Sequence, residues 1–348
     1  MRKLTRPLAA LAFVALICLD PAGAAAAARE ALARWSTQVA PALLPFLIAI
    51  PALTCEEGLA FFGRAAGGFM RFMRCPARFA SAWLTGLLSG SPAGAAALAA
   101  CAGSCGNGEL LRGALLCSGA SPAFLLSAIG AGMLSDPQAG WTLIGAQLLA
   151  TFTTGLLMRP LPDTAPCAPY GADGRPDPPA IQGAAQSLLM IGCYMTLFAV
   201  LTDQLTRLLG PAFRTPLAML LELSGGCRAA LALPLPAPQR LAVTAAVACM
   251  GGASVCAQSL SFLTPLGVRP APYVFWKLAQ CSFCALYALL LTACLPEMSL
   301  RAASPDIMPA ILCAALLALA AATAFRRAGS IKKDGKGEHP SVLFQQQP

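Results

Sequence analysis

The stretch "MGGASVCAQSLSF" (Met250–Phe262) decides how this chain is read. It lies between the apolar runs "LAVTAAVAC" (Leu241–Cys249) and "YVFWKLAQ" (Tyr273–Gln280), yet it holds two glycines, three serines and a glutamine. In water such a mixture is ordinary. Inside hydrocarbon every polar group needs a partner within the protein, so the stretch marks either a close contact of small residues between helices or a polar cavity. Its glutamine and serine hydroxyls, which close packing does not need, favour the cavity.

That the surroundings are hydrocarbon follows from composition. Of 348 residues, 57% are hydrophobic and only 11% charged, and the mean hydropathy is +0.68. A soluble domain carries about 25% charged residues. Apolar runs of about 20 residues, the length that spans a bilayer, recur at roughly 7–25, 39–62, 81–103, 111–134, 140–158, 184–208, 215–235, 241–265, 272–295 and 306–325. A membrane β-barrel would show alternating apolar and polar residues, and this chain does not. The predicted fold is an all-α polytopic membrane protein of about ten transmembrane helices, some of them broken by Gly and Pro, built from two internally repeated halves.

The net charge of +9 would suit nucleic acid, but no nucleic-acid module accompanies it. The basic residues gather at Arg2, Lys3 and Arg6, in "GRAAGGFMRFMRCPARF" (Gly63–Phe79) and in the tail "FRRAGSIKKDGKGE", which reads as a topology signal. With every span crossing and the N-terminus inside, 15 basic residues fall on the cytoplasmic side and 7 outside. Both termini are then cytoplasmic, in the cell membrane. A cleaved signal peptide is the alternative for the first 28 residues.

The expected organisation is an N-terminal helix with an external amphipathic segment (1–38), a first repeat (39–158), a Pro/Gly-rich loop (159–183), a second repeat (184–295), a C-terminal helix (296–330) and a disordered tail (331–348). The repeat is visible in the residues. Leu88-Ser89-Gly90 aligns with Leu223-Ser224-Gly225 at an offset of 135. Gly119-Ala120-Ser121 aligns with Gly252-Ala253-Ser254, and Ala146-Gln147 with Ala279-Gln280, at an offset of 133. Gly- or Pro-interrupted segments at corresponding places in two halves point to a midplane binding site in a transporter, because a broken helix frees N–H and C=O groups for a solute. The candidate residues are Ser89, Gly90, Ser91 and Pro92 in "SGSPAG", Ser121 and Pro122 in "SGASPAF", and Gly252, Ser254 and Gln258 in the opening stretch.

Arg228, in "LELSGGCRAALAL", costs about 2.5–3.5 kcal/mol at a helix centre even on lenient scales. It is expected either to pair with Glu222 across Gly225 and Gly226, to attract an anion from a cavity, or to snorkel outward. Lys277 is expected to snorkel, and Glu109 to be solvated in a turn. The 15 cysteines read mainly as small buried hydrophobes. With the one histidine, His339, in the polar tail, no metal site and no cofactor are expected.

The motifs "PALLPFLI" (Pro41–Ile48), "LLSGSPAGA" (Leu87–Ala95), "SLLMIGCYMTLFAVL" (Ser187–Leu201), "LLELSGG" (Leu220–Gly226) and "GGASVCAQ" followed by "YVFWKLAQ" resemble the sporulation integral membrane proteins of the YlbJ type. These belong to the nucleoside-recognition, or Gate, domain group. The resemblance runs from about Pro41 to Leu291. It implies two Gate domains, a part in spore formation, and movement of dipicolinate into the developing spore. The motif positions it carries over are Ser89, Gly90, Pro92, Gly94, Ser121, Pro122, Glu222, Gly225, Gly252, Ser254, Gln258 and Gln280. The chain departs from the pattern in its richness in Ala and Cys and in Cys227-Arg228, where uncharged residues are expected.

The expected function is a transporter or permease for a small polar or anionic solute. The alternatives are a nucleoside transporter and a non-transporting membrane partner in a sporulation assembly. The bilayer and the solute are the expected partners, with a second copy or other membrane proteins left open and nucleic acid excluded. An enzyme is not expected, since there is no HExxH, no intramembrane carboxylate pair and no histidine at membrane depth. ATP-driven pumping would need a P-loop, which is absent. Four crossings per half would make the repeats parallel, whereas a re-entrant hairpin within 81–134 would change that parity.

Overall fold

The computed structural model describes residues 2–103, 105–162 and 180–294. The expected C-terminal helix, the tail with His339 and most of the Pro/Gly-rich loop lie outside the described residues. Fifteen helices of eight or more residues run in order through the described residues, with short helical turns at Trp35–Val39, Pro211–Phe213 and Thr264–Leu266, and no strand is present among them: α1 (Arg2–Leu19), α2 (Pro21–Arg34), α3 (Ala40–Thr54), α4 (Glu56–Phe72), α5 (Phe79–Ser89), α6 (Ala93–Cys101), α7 (Asn107–Leu116), α8 (Phe124–Met133, wound as a π-helix), α9 (Pro137–Leu157), α10 (Ala180–Leu209), α11 (Arg214–Leu221), α12 (Leu223–Leu231), α13 (Ala237–Met250), α14 (Gly252–Leu263) and α15 (Pro270–Cys294).

Among the described residues, Ile181–Leu209, Ala237–Leu266 and Pro270–Ala293 are long and apolar enough to cross a membrane, and two bent pairs raise the number to as many as five. In those pairs α1 meets α2 at 106° and α3 meets α4 at 89°. Local chemistry explains the corners. Asp20 accepts a hydrogen bond from the Gly23 N–H at 3.0 Å, with Pro21 in the first turn of α2, where a missing N–H costs nothing. Cys55 is extended, at ψ 166°, and ends α3.

The expected spans 81–103 and 215–235 are not single helices. Each is a pair of short helices folded back on itself. A Cβ added at Gly94 in α6 would lie 2.7 Å from the Cα of Gly86 in α5, four residues to either side of Gly90. The pairing continues outward: the Cys101 thiol lies against Ser81 and Ala82, and Gly103 lies against the Arg78 guanidinium. The turn requires Gly90, whose φ is +74°, a value that costs a side chain but not glycine. The α11–α12 pair repeats the geometry about Glu222, since a Cβ added at Gly226 would lie 2.9 Å from the Ala218 oxygen and 3.0 Å from the Met219 Cα.

The expected spans 111–134 and 241–265 are broken but not folded back in this way. Gly251 and Gly252, at φ +72° and +70°, interrupt the run from α13 to α14, and residues 117–123 interrupt α7 and α8. The long helices α9 and α15 lie side by side, joined by Thr153 Oγ1 to Tyr287 OH at 2.7 Å and by Gln280 Nε2 donating to Thr151 Oγ1 at 2.8 Å. Interhelical hydrogen bonds of this kind hold helices together where hydrophobicity cannot.

One end of the first half is clamped by arginine. Arg112, only 1% exposed, donates from Nε and Nη2 to the Arg74 carbonyl at 3.1 and 2.7 Å and from Nη1 to the Leu161 carbonyl at 3.1 Å. Arg74 Nη1 donates to the Arg159 carbonyl at 2.9 Å. The segments ending α4, opening α7 and ending α9 are therefore neighbours. Glu109, expected to be solvated, instead accepts the Gly106 N–H at 2.8 Å and caps α7.

Gly94→Ala places a Cβ against Gly86 and the Cys117 carbonyl, and overpacking of this kind costs about 1–3 kcal/mol. The thermal midpoint of the purified chain in detergent is expected to fall by several degrees. Gly68→Ala, with nothing within 4 Å, is expected to leave it unchanged. Equal midpoints for the two variants would remove the close hairpin contact.

Candidate functional site

The two folded-back pairs and the two broken helices meet tip to break. At the first meeting the Ser91 N–H donates to the Gly119 carbonyl at 2.8 Å, and a Cβ at Gly90 would lie 2.6 Å from the Ser121 nitrogen. At the second, a Cβ on Gly252 would lie 2.8 Å from both the Glu222 nitrogen and the Leu221 carbonyl carbon. Backbone passes backbone at both points, and only glycine allows it.

Around these meetings lies a cavity of about 640 Å³. Of the sequence-predicted residues, Ser89, Ser91, Pro92, Ser121, Glu222, Arg228, Ser254 and Gln258 line it. Gly90, Pro122, Gly225 and Gly252 sit at the tips and breaks beside it without lining it, and Gln280 stands behind the wall. The opposite side is apolar, with Val39 and Leu43 at the start of α3, Ile191 and Met195 of α10, and Phe124 of α8. Lining residues stand at the N-terminal ends of α6, α8, α12 and α14: Pro92 and Gly251 just before α6 and α14, Ser121 in the turn leading into α8, and Leu223 and Ser254 in the first turns of α12 and α14. Each such end is the positive end of a helix dipole.

The polar side chains are held in defined ways. Gln258, 2% exposed, donates to Ser254 Oγ at 3.1 Å. Ser121 Oγ accepts the Phe124 N–H at 3.2 Å, and Ser89 Oγ donates back to the Thr85 carbonyl at 2.6 Å. Ser91 Oγ is buried without a partner among the described residues. Glu222 does not pair with Arg228. Its carboxylate accepts the Gly225 N–H at 2.8 Å and caps α12. Arg228 lines the cavity but is an exposed residue, as snorkelling would also leave it, and no ion pair or hydrogen bond holds it among the described residues.

Lys277 departs from the expected snorkelling. It is 2% exposed, lines the cavity, and its ammonium donates to the Ser118 carbonyl at 2.8 Å, the Ser118 hydroxyl at 3.0 Å and Gln280 Oε1 at 3.0 Å. Gln280 is anchored in turn by Thr151. Sequence reading also passed over Tyr273, which is 1% exposed and lines the cavity, and Gln147. The Gln147 amide accepts the Ala120 N–H at 3.0 Å and donates to the Ala120 carbonyl at 2.9 Å, replacing the helical partners that the break removes. The signal for Gln147 and Gln280 was their equivalent place in the two halves. The lining holds two cations, Arg228 and Lys277, against one carboxylate. Cys105 is disulfide-bonded and is not available as a thiolate beside Cys101.

Gln147→Leu would leave the Ala120 N–H and C=O without this partner, at about 1–3 kcal/mol for each unsatisfied group. Its thermal midpoint is expected to fall clearly below that of Gln138→Leu, at the half-buried start of α9, where the amide oxygen has no partner among the described residues to lose. Equal midpoints would show that the break does not depend on Gln147.

Comparison with known proteins adds one similarity. No family model matches the chain, and no solved structure matches it. Among curated proteins the chain is similar to the "Sporulation integral membrane protein YlbJ" of Bacillus subtilis (strain 168), 25% identical over 328 residues and covering 81% of this chain and 80% of that protein. An integral membrane relative and apolar helices of bilayer length place the chain in a membrane. The YlbJ-type family that the motifs resemble is supported by similarity along most of the chain.

Proposed function

We propose that the chain is a membrane transporter for a small organic anion, acting in spore formation as the name of its relative suggests, and that the cavity is its solute site. One observation carries the reading: four half-helix N-termini and two cationic side chains surround one cavity inside a chain with few charges. Lys277 is a buried cation, which is expensive in hydrocarbon, whereas Arg228 is exposed. A solute carboxylate would be drawn to both charges while using the dipole ends as fixed donors. The apolar wall of α3, α8 and α10 suits the ring or alkyl part of such a solute. Dipicolinate, an aromatic ring bearing two carboxylates, has this character and is the solute we favour. We read the site as non-catalytic.

The same reading revises the ten-crossing topology. If α5–α6 and α11–α12 dip into the membrane and return, the ten apolar segments become eight crossings and two re-entrant hairpins. Each half then crosses three times, through α3, α7–α8 and α9 and through α10, α13–α14 and α15. An odd number makes the halves inverted, not parallel. The contacts of Gly103 with Arg78 and of Arg112 with Arg74 support this, because they bring both ends of the first hairpin to one side. The basic residues then divide 16 inside to 6 outside, a sharper asymmetry than 15 to 7, and both termini stay cytoplasmic.

A topology reporter inserted at 103–106 is expected on the same side as one at 75–78. Opposite sides would return the first hairpin to a crossing and the halves to parallel.

Vesicles containing the chain are expected to accumulate labelled dipicolinate in preference to nucleosides. Arg228→Gln should lower uptake about tenfold, equivalent to about 1.4 kcal/mol, with unchanged membrane insertion. Accumulation of neither solute would favour the non-transporting partner and end the transporter reading.

A further inference from the structure

The first half and the second half differ at one place that matters for charge. The alignment that puts Gln147 on Gln280 puts Ile144 on Lys277. The α7–α8 break thus receives an ammonium from α15, while the α13–α14 break has an apolar residue at the matching position on α9. At a helix break the carbonyls that have lost their helical partners gather cations, and in transporters such carbonyls commonly take the coupling ion. Here the Ser118 carbonyl at the end of α7 is occupied by Lys277, at 2.8 Å.

The surroundings of that ammonium are those of a cation site. Its three donors meet three oxygens: the Ser118 carbonyl, the Ser118 hydroxyl and the Gln280 amide oxygen, at 2.8, 3.0 and 3.0 Å. Each oxygen is neutral. The Ser118 hydroxyl is turned to accept because it donates to the Leu115 carbonyl at 3.2 Å. The Gln280 amide is fixed with its oxygen toward Lys277 because its nitrogen donates to Thr151. No ion pair to Lys277 is present among the described residues. The other charged groups of the cavity are Arg228 and Glu222, and the Glu222 carboxylate caps α12.

We propose that Lys277 is a tethered cation: it fills a monovalent-cation site, built by Ser118 and Gln280 at the first-half break, that would otherwise draw an ion from solution. The positive charge beside the cavity is then part of the chain, and the cavity is ready for an anion without sodium or potassium. The consequence for transport rests on the reading of the cavity as a solute site. The cation site itself does not, and its test reads stability instead of uptake, so a failure to move dipicolinate leaves it standing.

The full chain is purified into lipid nanodiscs and its thermal midpoint followed. The wild type is expected to have one midpoint in sodium, potassium and N-methylglucamine chlorides. Lys277→Ala is expected to melt several degrees lower, and methylammonium chloride to restore that loss saturably, whereas neutral formamide does not. Lys277→Met fills the space without charge, so it should melt lower and ignore methylammonium. Saturable stabilisation of the wild type by sodium or potassium would overturn the proposal, and this measurement needs no variant. Equal responses of Lys277→Ala to methylammonium and formamide, or no response to either, would also overturn it.

Discussion

Everything in the described structure depends on the meeting of a hairpin tip with a broken helix. A helix that stops inside hydrocarbon leaves up to four N–H or C=O groups without partners, and lipid offers none. Here two interrupted elements answer each other. The Ser91 N–H reaches the Gly119 carbonyl across the first meeting, and Gly252 lets its backbone lie against Leu221 and Glu222 at the second. Side-chain amides and carboxylates complete the set: Gln147 takes both polar groups of Ala120, and Glu222 takes the Gly225 N–H. Because these partners close most of the breaks, the helix ends can face an open space instead of collapsing on each other.

The electrostatic character of that space follows from which ends face it. The N-terminal ends of the four helices that follow the breaks all reach it, against the C-terminal ends of α5, at Ser89, and α13, at Ala248 to Met250, so positive dipole ends outnumber negative ones. Adding Arg228 and Lys277 strengthens the same sign. A structural account of Lys277 alone would need a carboxylate nearby, since a buried cation is normally paired. The structure supplies neutral oxygens, which orient the ammonium without cancelling its charge. Glu222, the carboxylate that could have cancelled it, is committed to the α12 cap. The arrangement conserves positive potential at a real energetic cost, as sites built to attract a guest do.

Much of this was legible in the sequence. Hydropathy located the apolar segments, and the polar residues of "SGSPAG" and "MGGASVCAQ" located the interruptions that line the cavity. The fold-back of the two hairpins was not legible, for a physical reason. Two helices of about ten residues that fold back present the same composition as one helix of twenty that crosses, so 81–103 and 111–134 read alike. The distinguishing mark is subtle: Gly86 and Gly94 stand symmetrically about Gly90, as Ala218 and Gly226 stand about Glu222. That symmetry relates the two hairpins at an offset of 132, three residues from the 135 at which their Leu-Ser-Gly triplets align. The triplets are similar in kind but occupy different places at the two tips. The depth of Lys277 was hidden too. Its place near the start of an apolar run suggested snorkelling, but α15 packs against α9 and turns Lys277 toward Ser118.

The two helix breaks that the sequence alignment pairs are tied differently, and that difference bears on movement. Gln147 braces the first break from its own half, while Lys277 and Gln280 reach it from the other half, through Ser118 and Leu115. The second break receives no such amide or ammonium among the described residues, and what holds it is the backbone contact of Gly252 with Leu221 and Glu222. In the inverted topology proposed above, the tightly held break and the loosely held break belong to opposite sides of the cavity. A guest anion near Lys277 and Arg228 would interact with both halves at once. It can shift the balance between two arrangements only by binding one of them better, and the loosely tied second hairpin and break are the elements with the least to lose by moving.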